Sequence, residues 1–138
     1  MTEPLLYDIT AEESVLGGIM VDPDRLADVL NWLKPSHFGR EKNRWIYEAM
    51  LALHKQGIPA NQVLVAHEIA KDGDKLKAMG GYAYLSILIA DTAPSPFVKY
   101  YGKAVLECAQ TRERLTRQKS NPLLPALQPK PRTRTYNL

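Results

Sequence analysis

The side chains that could do chemistry are few and widely spaced along the chain. The histidines His37, His54 and His67 stand 17 and 13 residues apart, and Cys108 is the only cysteine. Metal ligands usually recur at short helical or loop spacings, so this pattern argues against a metal site. Because Cys108 falls on a predicted apolar stripe, it is interpreted as a small core residue rather than as a nucleophile.

Carboxylate pairs and phosphate-binding loops are the other catalytic signals to consider. The pairs Glu12 with Glu13 and Asp22 with Asp24 fall at predicted helix starts, where negative charge interacts favourably with the helix dipole. The lone Gly-Lys pair lies inside a predicted helix, and the sequence contains no Gly-x-x-x-x-Gly-Lys-Ser/Thr motif. No catalytic residue, cofactor or metal is therefore predicted.

Composition limits the class of protein. The 138 residues suffice for one modest domain, and 45% of them are hydrophobic, which permits a packed core. The lone cysteine allows no internal disulfide, and the first residues lack the features of a signal peptide. No apolar run reaches the roughly 18 residues of a membrane span. A cytoplasmic protein without a membrane partner is expected.

The net charge of +3 is unevenly distributed. Residues 1–116 hold 13 basic and 15 acidic side chains, whereas residues 117–138 hold five basic ones and no acidic one. Four of the ten prolines fall in the tail at 119–138, which favours an extended or disordered segment. The balanced body is not the electrostatic footprint of a strong nucleic-acid binder.

Helix start and stop signals predict an all-α protein. Thr10 and Glu13 have the spacing of a capping box at the start of a first helix. Asp22 followed by Pro23 marks the start of a second helix, which ends before Pro35. The apolar stripe of this second helix comprises Leu26, Val29, Leu30 and Leu33.

Two helices are predicted in the middle of the chain. The first covers residues 41–56 and ends at Gly57, and Asn61 caps the second. Their expected apolar positions are Ile46, Ala49, Met50, Leu53, Val63, Leu64, Ala66, Ile69 and Ala70.

Two more helices are predicted towards the C-terminus. Residues 82–90 carry Ser86 as their only polar side chain, which indicates full burial or contact with another chain. A long helix then runs from residue 97 to about residue 118. One side of it carries Phe97, Tyr101, Ala104, Val105, Cys108 and Leu115.

Gly17 and Gly18 lie within the apolar run of the first helix. Each glycine costs about 1 kcal/mol relative to alanine in a helix interior, so a compensating interaction is expected. Since neither has a side chain, we predict that they allow a neighbouring helix to approach closely.

The order of these signals resembles the N-terminal domain of DnaB-type replicative helicases. That family opens with an Ala-Glu-x-x-Val-Leu-Gly helix, an Asp-Pro turn and a Leu-x-Pro-x-x-Phe segment. Similar residues stand here at Ala11, Glu12, Val15, Leu16, Gly17, Asp22, Pro23, Leu33, Pro35 and Phe38. Later family blocks resemble NRWIYEAM at 43–50, KQGIPANQVLVAHEI at 55–69 and the segment at 78–115.

The resemblance covers residues 9–117 and departs from the family at two points. Asn61 stands where the family usually has Asp, and both residues cap helices. The RecA-like ATPase domain of these helicases has no counterpart, because the sequence carries no Walker motif. The alternatives are an N-terminal piece of an ATP-dependent DNA helicase and a naturally short protein.

The resemblance implies an architecture and a set of partners. A small bundle of short helices would occupy residues 10–118, including a hairpin of 82–90 and 97–117, between an N-terminal arm at 1–9 and the tail. In the full helicase such domains dimerise through the hairpin and form a hexameric collar, which docks the C-terminal helical domain of primase. A helicase loader is a further candidate partner. The expected place is the replisome of a bacterium, phage or plasmid.

The candidate partner interface lies on this hairpin. It comprises Tyr84, Leu88, Tyr100 and Leu106, and the alternative for each is a place in the chain's own core. Two other functions remain open from the sequence. One is a stand-alone regulator that mimics the helicase collar, and the other is a weak nucleic-acid binder that uses Lys130, Arg132 and Arg134.

Overall fold

A computed structural model of the chain describes residues 5–91 and 95–120. Within these ranges the chain is helical without a β-strand, which confirms the all-α prediction. The α-helices are α1 (Ile9–Val21), α2 (Glu41–Lys55), α3 (Gln62–Ala70), α4 (Lys75–Ala78), α5 (Gly81–Ala90) and α6 (Val98–Ser120). Short 3-10 helices cover Pro23–Asp28, Pro35–His37 and Ser95–Phe97. In the described ranges, no helix is long and apolar enough to cross a membrane.

Helix α1 is the centre of the bundle. It packs against both α5 and α6, and its residues from Ala11 to Met20 are buried with the exception of Glu13. Residues 15–21 of α1 carry no polar side chain, and a segment that is apolar on all sides requires such a surrounded position. Gly17 and Gly18 are both buried within it, and the close approach of a neighbouring helix at these positions stays a prediction.

The start of α1 differs from the prediction. The helix begins at Ile9, and the carboxylate of Asp8 accepts a hydrogen bond from the backbone nitrogen of Ala11 at 3.0 Å. Asp8 is therefore the N-cap, and the predicted capping box of Thr10 and Glu13 is wrong. Aspartate caps at least as well as threonine, and starting earlier extends the helix by a further half turn.

The predicted second α-helix is also absent. Pro23–Asp28 is a 3-10 helix, and hydrogen-bonded turns continue to Leu33. Leu26, Val29 and Leu33 are nevertheless buried as predicted. The reason is that side chains at i and i+3 share one face in both helix types, so the apolar spacing does not distinguish them.

The middle of the chain matches its predicted signals. Helix α2 buries Ile46, Ala49, Met50 and Leu53, and Gly57 follows it with a φ of 72°. The Asn61 side chain accepts from the backbone nitrogen of Leu64 at 2.9 Å, which confirms it as the N-cap of α3. These signals are local, so the sequence carries them completely.

Helices α5 and α6 do not form a hairpin of two helices packed on each other. Each of them packs chiefly against α1, so the two predicted hairpin segments flank a shared neighbour. Helix α6 also lies against Pro23–Asp28 and Pro35–His37. Gly102 makes this approach close, because an added Cβ would lie 3.0 Å from Val29 Cγ1.

Some side chains predicted to face inward are exposed. Val63, Phe97 and Leu115 each have 40% or more of their surface exposed, whereas the neighbouring Val65 and Val98 are buried. An error of one or two residues in helix phase or start accounts for these differences, since successive helical residues are 100° apart. Lys130, Arg132 and Arg134 lie outside the described residues.

Candidate partner-binding surfaces

Two of the predicted interface residues lie in the core of this chain. Tyr84 is 7% exposed and Leu88 is 1% exposed, which corresponds to the core alternative that the sequence left open. Tyr100 is 60% exposed, and Leu106 is partly buried against the core. Of the four, Tyr100 therefore offers the largest accessible side chain to a partner.

A buried polar network joins α1, α2 and α5. Glu12 is 1% exposed, and its carboxylate accepts hydrogen bonds from the backbone nitrogen of Gly39 at 2.6 Å and from Asn43 Nδ2 at 2.9 Å. The hydroxyl of Tyr84 donates to Asn43 Oδ1 at 2.7 Å. Burial raises the pKa of Tyr84, so its hydroxyl keeps the proton that it donates.

This network corrects the role predicted for Glu12. The sequence placed its charge at the start of its own helix, whereas the carboxylate lies at the start of α2. There the N-cap residue, Arg40, forms no side-chain capping bond. Glu12 thus accepts hydrogen bonds from the backbone just before α2 and from the Asn43 side chain in its first turn, a contact that spacing alone cannot reveal.

Arg112 holds the N-terminal segment against the body. Its guanidinium donates to the carbonyl oxygens of Leu6 at 2.6 Å and His37 at 2.8 Å. The same group lies 4.5 Å from the centre of the Tyr7 ring, which packs against Gly39. The position of the N-terminal segment therefore depends on a residue more than a hundred positions away.

A shallow polar cleft lies beside Arg112. Ser36, His37, Gln110 and Glu113 contribute to its lining. Partial burial lowers the pKa of His37, with further lowering by the charges of Lys34 and Arg112. Among the described residues, no group of three or more His, Cys, Asp or Glu side chains could hold a metal ion.

The solvent-facing side of α5 carries no charge. This α5 face consists of Tyr82, Ala83, Ser86, Ile87 and Ala90. Its only hydroxyl outside the tyrosine, on Ser86, is engaged by Gln62 Nε2 at 2.7 Å. Tyr82 and Ile87 are about half exposed. An uncharged helix face of this kind loses little solvation when another protein covers it.

The 3-10 helix that ends at Phe97 and the first turns of α6 together present aromatic rings and cations. This α6 patch consists of Phe97, Lys99, Tyr100 and Lys103, all of which are exposed. The ring centres of Phe97 and Tyr100 are 6.2 Å apart, and Lys99 Nζ lies 5.8 Å from the Tyr100 ring centre. Sequence reasoning found Tyr100 but missed both lysines, whose spacing of four residues was the available signal.

Comparison with known proteins gives one consistent family. A family model described as the DnaB-like helicase N terminal domain matches residues 4–107. The replicative DNA helicase DnaB of Mycobacterium leprae is 39% identical over 105 residues, which are 76% of this chain and 17% of that protein. The replicative DNA helicase DnaC of Bacillus subtilis is 36% identical over 100 residues, which are 72% of this chain and 22% of that protein.

Solved structures agree with the sequence matches. The N-terminal domain of DnaB helicase from Mycobacterium tuberculosis superposes with a TM-score of 0.78 at 38% identity, covering 86% of this chain and 82% of that one. A DnaB-like replicative helicase, described together with its interactions with primase, gives a TM-score of 0.68 at 28% identity. The alignment covers 87% of this chain and 30% of that helicase. The chain thus spans about a fifth of the length of its curated relatives.

Proposed function

Because this chain belongs to the family of DnaB-like helicase N-terminal domains, we propose that it is the protein-binding domain of a replicative DNA helicase. It associates with further copies of itself and docks primase during DNA replication, and it catalyses no reaction. The observation that carries the proposal is that the polar network of Glu12, Asn43 and Tyr84 is buried within the fold. Large apolar side chains such as Ile87 and Tyr100 are exposed, where a partner protein can contact them. Any ATP-driven unwinding belongs to a helicase motor outside this family's domain.

Self-association uses the α5 face. A second copy presents the same uncharged surface, so two such faces meet without like-charge repulsion and without burying an unpaired charge. The face is small compared with the roughly 800 Å² per partner of a standard interface. The isolated domain is therefore a weak dimer, and further contacts in a hexamer add to its stability.

Primase docking uses the surface around Tyr100. Tyrosine is enriched among the residues that dominate binding energy, because it offers a large apolar ring with a polar end. Leu106 lies on the same helix, partly buried against the core, and the buried Tyr84 and Leu88 pack inside the bundle. The related helicase described with its primase interactions supports this partner.

The domain boundaries and the cellular setting form part of the same proposal. The helical domain, expected at residues 10–118, includes α1 from Ile9 and α6 to Ser120; an arm precedes it, and the sequence after it is basic and contains four prolines. The protein works in the cytoplasmic replisome of a bacterium, phage or plasmid. A helicase loader is a further partner to test, and contact with DNA is weak or indirect.

A calorimetric titration with the C-terminal helical domain of primase from the same source, at physiological salt, tests the proposal. We expect saturable binding that Tyr100→Ala weakens, whereas Tyr82→Ala on the α5 face leaves the affinity unchanged. Circular dichroism verifies that each variant is folded. A folded wild-type domain that gives no heat of binding would contradict the primase-docking function.

A further inference from the structure

The α6 patch carries positive charge without a matching negative charge. Within the described ranges, neither Lys99 nor Lys103 belongs to an ion pair. We propose that the segment of the primase domain docked on this patch is acidic, with a carboxylate held between the two lysines and an apolar group against Phe97 and Tyr100. This inference rests on the proposed function, because it names the chemistry of the same docking partner.

The spacing of the lysines suits a single carboxylate. Residues four apart on an α-helix are neighbours on one face, so Lys99 and Lys103 direct their ammonium groups to the same region. Glu107, four residues after Lys103, borders the patch on the same face, but within the described ranges it forms no ion pair with Lys103. The positive region therefore occupies the first two turns of α6, beside the exposed rings.

The position of Lys99 is unfavourable for α6 itself. The N-terminal end of a helix is the positive end of its dipole, where cations destabilise and anions stabilise. The first turn of α6 holds no acidic residue that would compensate. A carboxylate from a partner offsets this repulsion. The charge of Lys99 therefore favours binding although it does not stabilise α6.

The aromatic rings favour a protein segment over a nucleic acid. The Phe97 and Tyr100 rings are inclined by 55°, so they do not form parallel platforms for successive stacked bases. Residues 1–116 carry 13 basic and 15 acidic side chains, giving 13 − 15 = −2, and this balance does not attract a polyanion at long range. A short acidic protein segment, in contrast, needs only the local positive charge of Lys99 and Lys103 in order to bind.

Charge reversal separates binding from folding. In Lys99→Glu the new carboxylate interacts favourably with the helix dipole, so we expect a melting temperature at or above that of the wild type. The same change places like charge against the acidic segment, and we expect about tenfold weaker binding of the primase domain. Lys77→Glu, an equal charge change on an exposed residue of α4, serves as the control and should leave the affinity unchanged.

Salt dependence and a nucleic-acid probe complete the test. Wild-type affinity for the primase domain should fall as salt rises, and Lys99→Glu should lose this dependence. If Lys99→Glu binds the primase domain as tightly as the wild type while Tyr100→Ala binds it more weakly, the proposal of an acidic segment is wrong and the docking function stands. No binding by the wild type overturns both. The other contradicting result concerns a single-stranded oligonucleotide. If Lys99→Glu weakens binding of the oligonucleotide but not of the primase domain, the patch binds nucleic acid and the inference is overturned.

Discussion

Glu12 Oε2 lies 2.6 Å from the backbone nitrogen of Gly39, a contact that spans 27 residues of sequence. The buried carboxylate thereby joins the centre of the bundle to the start of α2. Hydrogen bonds to a charged acceptor are the strong ones, and a buried charge that loses its partners is costly. This single side chain therefore connects the folding of two helices.

Replacing Glu12 should destabilise the domain. Glu12→Gln keeps the shape but turns a charged acceptor into an amide, and the added NH₂ group faces donors already aimed at the site. We expect a loss of about 1–3 kcal/mol in the free energy of unfolding, measured by urea denaturation. The neighbouring Glu13→Gln, on a partly exposed ion pair with Arg40, should cost less than about 1 kcal/mol. Equal losses in the two variants would contradict a special role for Glu12.

The Tyr84 hydroxyl should contribute to stability through Asn43. Tyr84→Phe removes the donor of a 2.7 Å hydrogen bond and leaves Asn43 Oδ1 buried without it. We expect a loss of about 1–2 kcal/mol in the free energy of unfolding by urea denaturation. Tyr82→Phe makes the same chemical change on the exposed α5 face and should be neutral. A neutral Tyr84→Phe would show that the network is not energetically coupled.

Close packing at the glycines should make them intolerant of side chains. In Gly102→Ala the new Cβ would lie 3.0 Å from Val29 and 3.1 Å from Trp32, closer than ordinary contact. The overpacking cost of about 1–3 kcal/mol outweighs the gain of about 1 kcal/mol in helix propensity, so we expect a small net loss of stability, seen as a lower melting temperature. Gly17→Leu and Gly18→Leu should unfold or loosen the domain more severely. Should the melting temperature of the leucine variants stay unchanged, close packing at these positions is refuted.

Stability should depend on pH through His37. Its pKa in the folded chain lies below the ordinary value of 6.5, so the unfolded state binds the proton more readily. The neutral imidazole therefore stabilises the fold above pH 6.5, and this contribution is lost as the pH falls towards the folded pKa. Urea midpoints measured over this range should fall on acidification. His37→Gln should flatten this part of the profile, and an identical slope in that variant would exclude His37 as the cause.

Self-association should depend on the α5 face. Ile87→Asp introduces a charge into an otherwise uncharged surface, and a second copy would have to bury it. Sedimentation velocity over a concentration series should show the wild type becoming heavier with concentration and the variant remaining monomeric. Val21→Asp, an equal change on a comparably exposed residue at the end of α1, is the control. Loss of association in both variants would point to a general effect of charge.

The sequence predicted the parts of the fold that local signals control. Asn61 caps its helix and Gly57 follows another, because each acts on backbone groups within a few residues. The 3-10 geometry at Pro23–Asp28 was not predicted, because its apolar spacing is shared with an α-helix. Local patterns thus predict which segments are helical and where a cap lies. They do not predict whether a helix is α or 3-10.

The candidate surfaces were harder to predict for a physical reason. Segment 82–90 is apolar on every side, so its sequence does not distinguish the buried Tyr84 and Leu88 from the exposed Tyr82 and Ile87. That distinction depends on where α1 lies, which is a tertiary property. The Glu12 contact with Gly39 is tertiary for the same reason. Tyr100 was named only as an aromatic residue of the expected hairpin, on the same grounds as the buried Tyr84.

Arg112 has a mechanical consequence for the domain. Residues 113–117 of α6 are exposed, so a force applied to the C-terminal end of this helix first meets the body at Arg112. There the guanidinium is anchored to the carbonyls of Leu6 and His37 in two separate parts of the chain. We expect a pull on this end to be transmitted through these two hydrogen bonds to the N-terminal segment and to the turn before α2. Arg112 is therefore the residue through which movement of the C-terminal turns of α6 reaches the N-terminal segment.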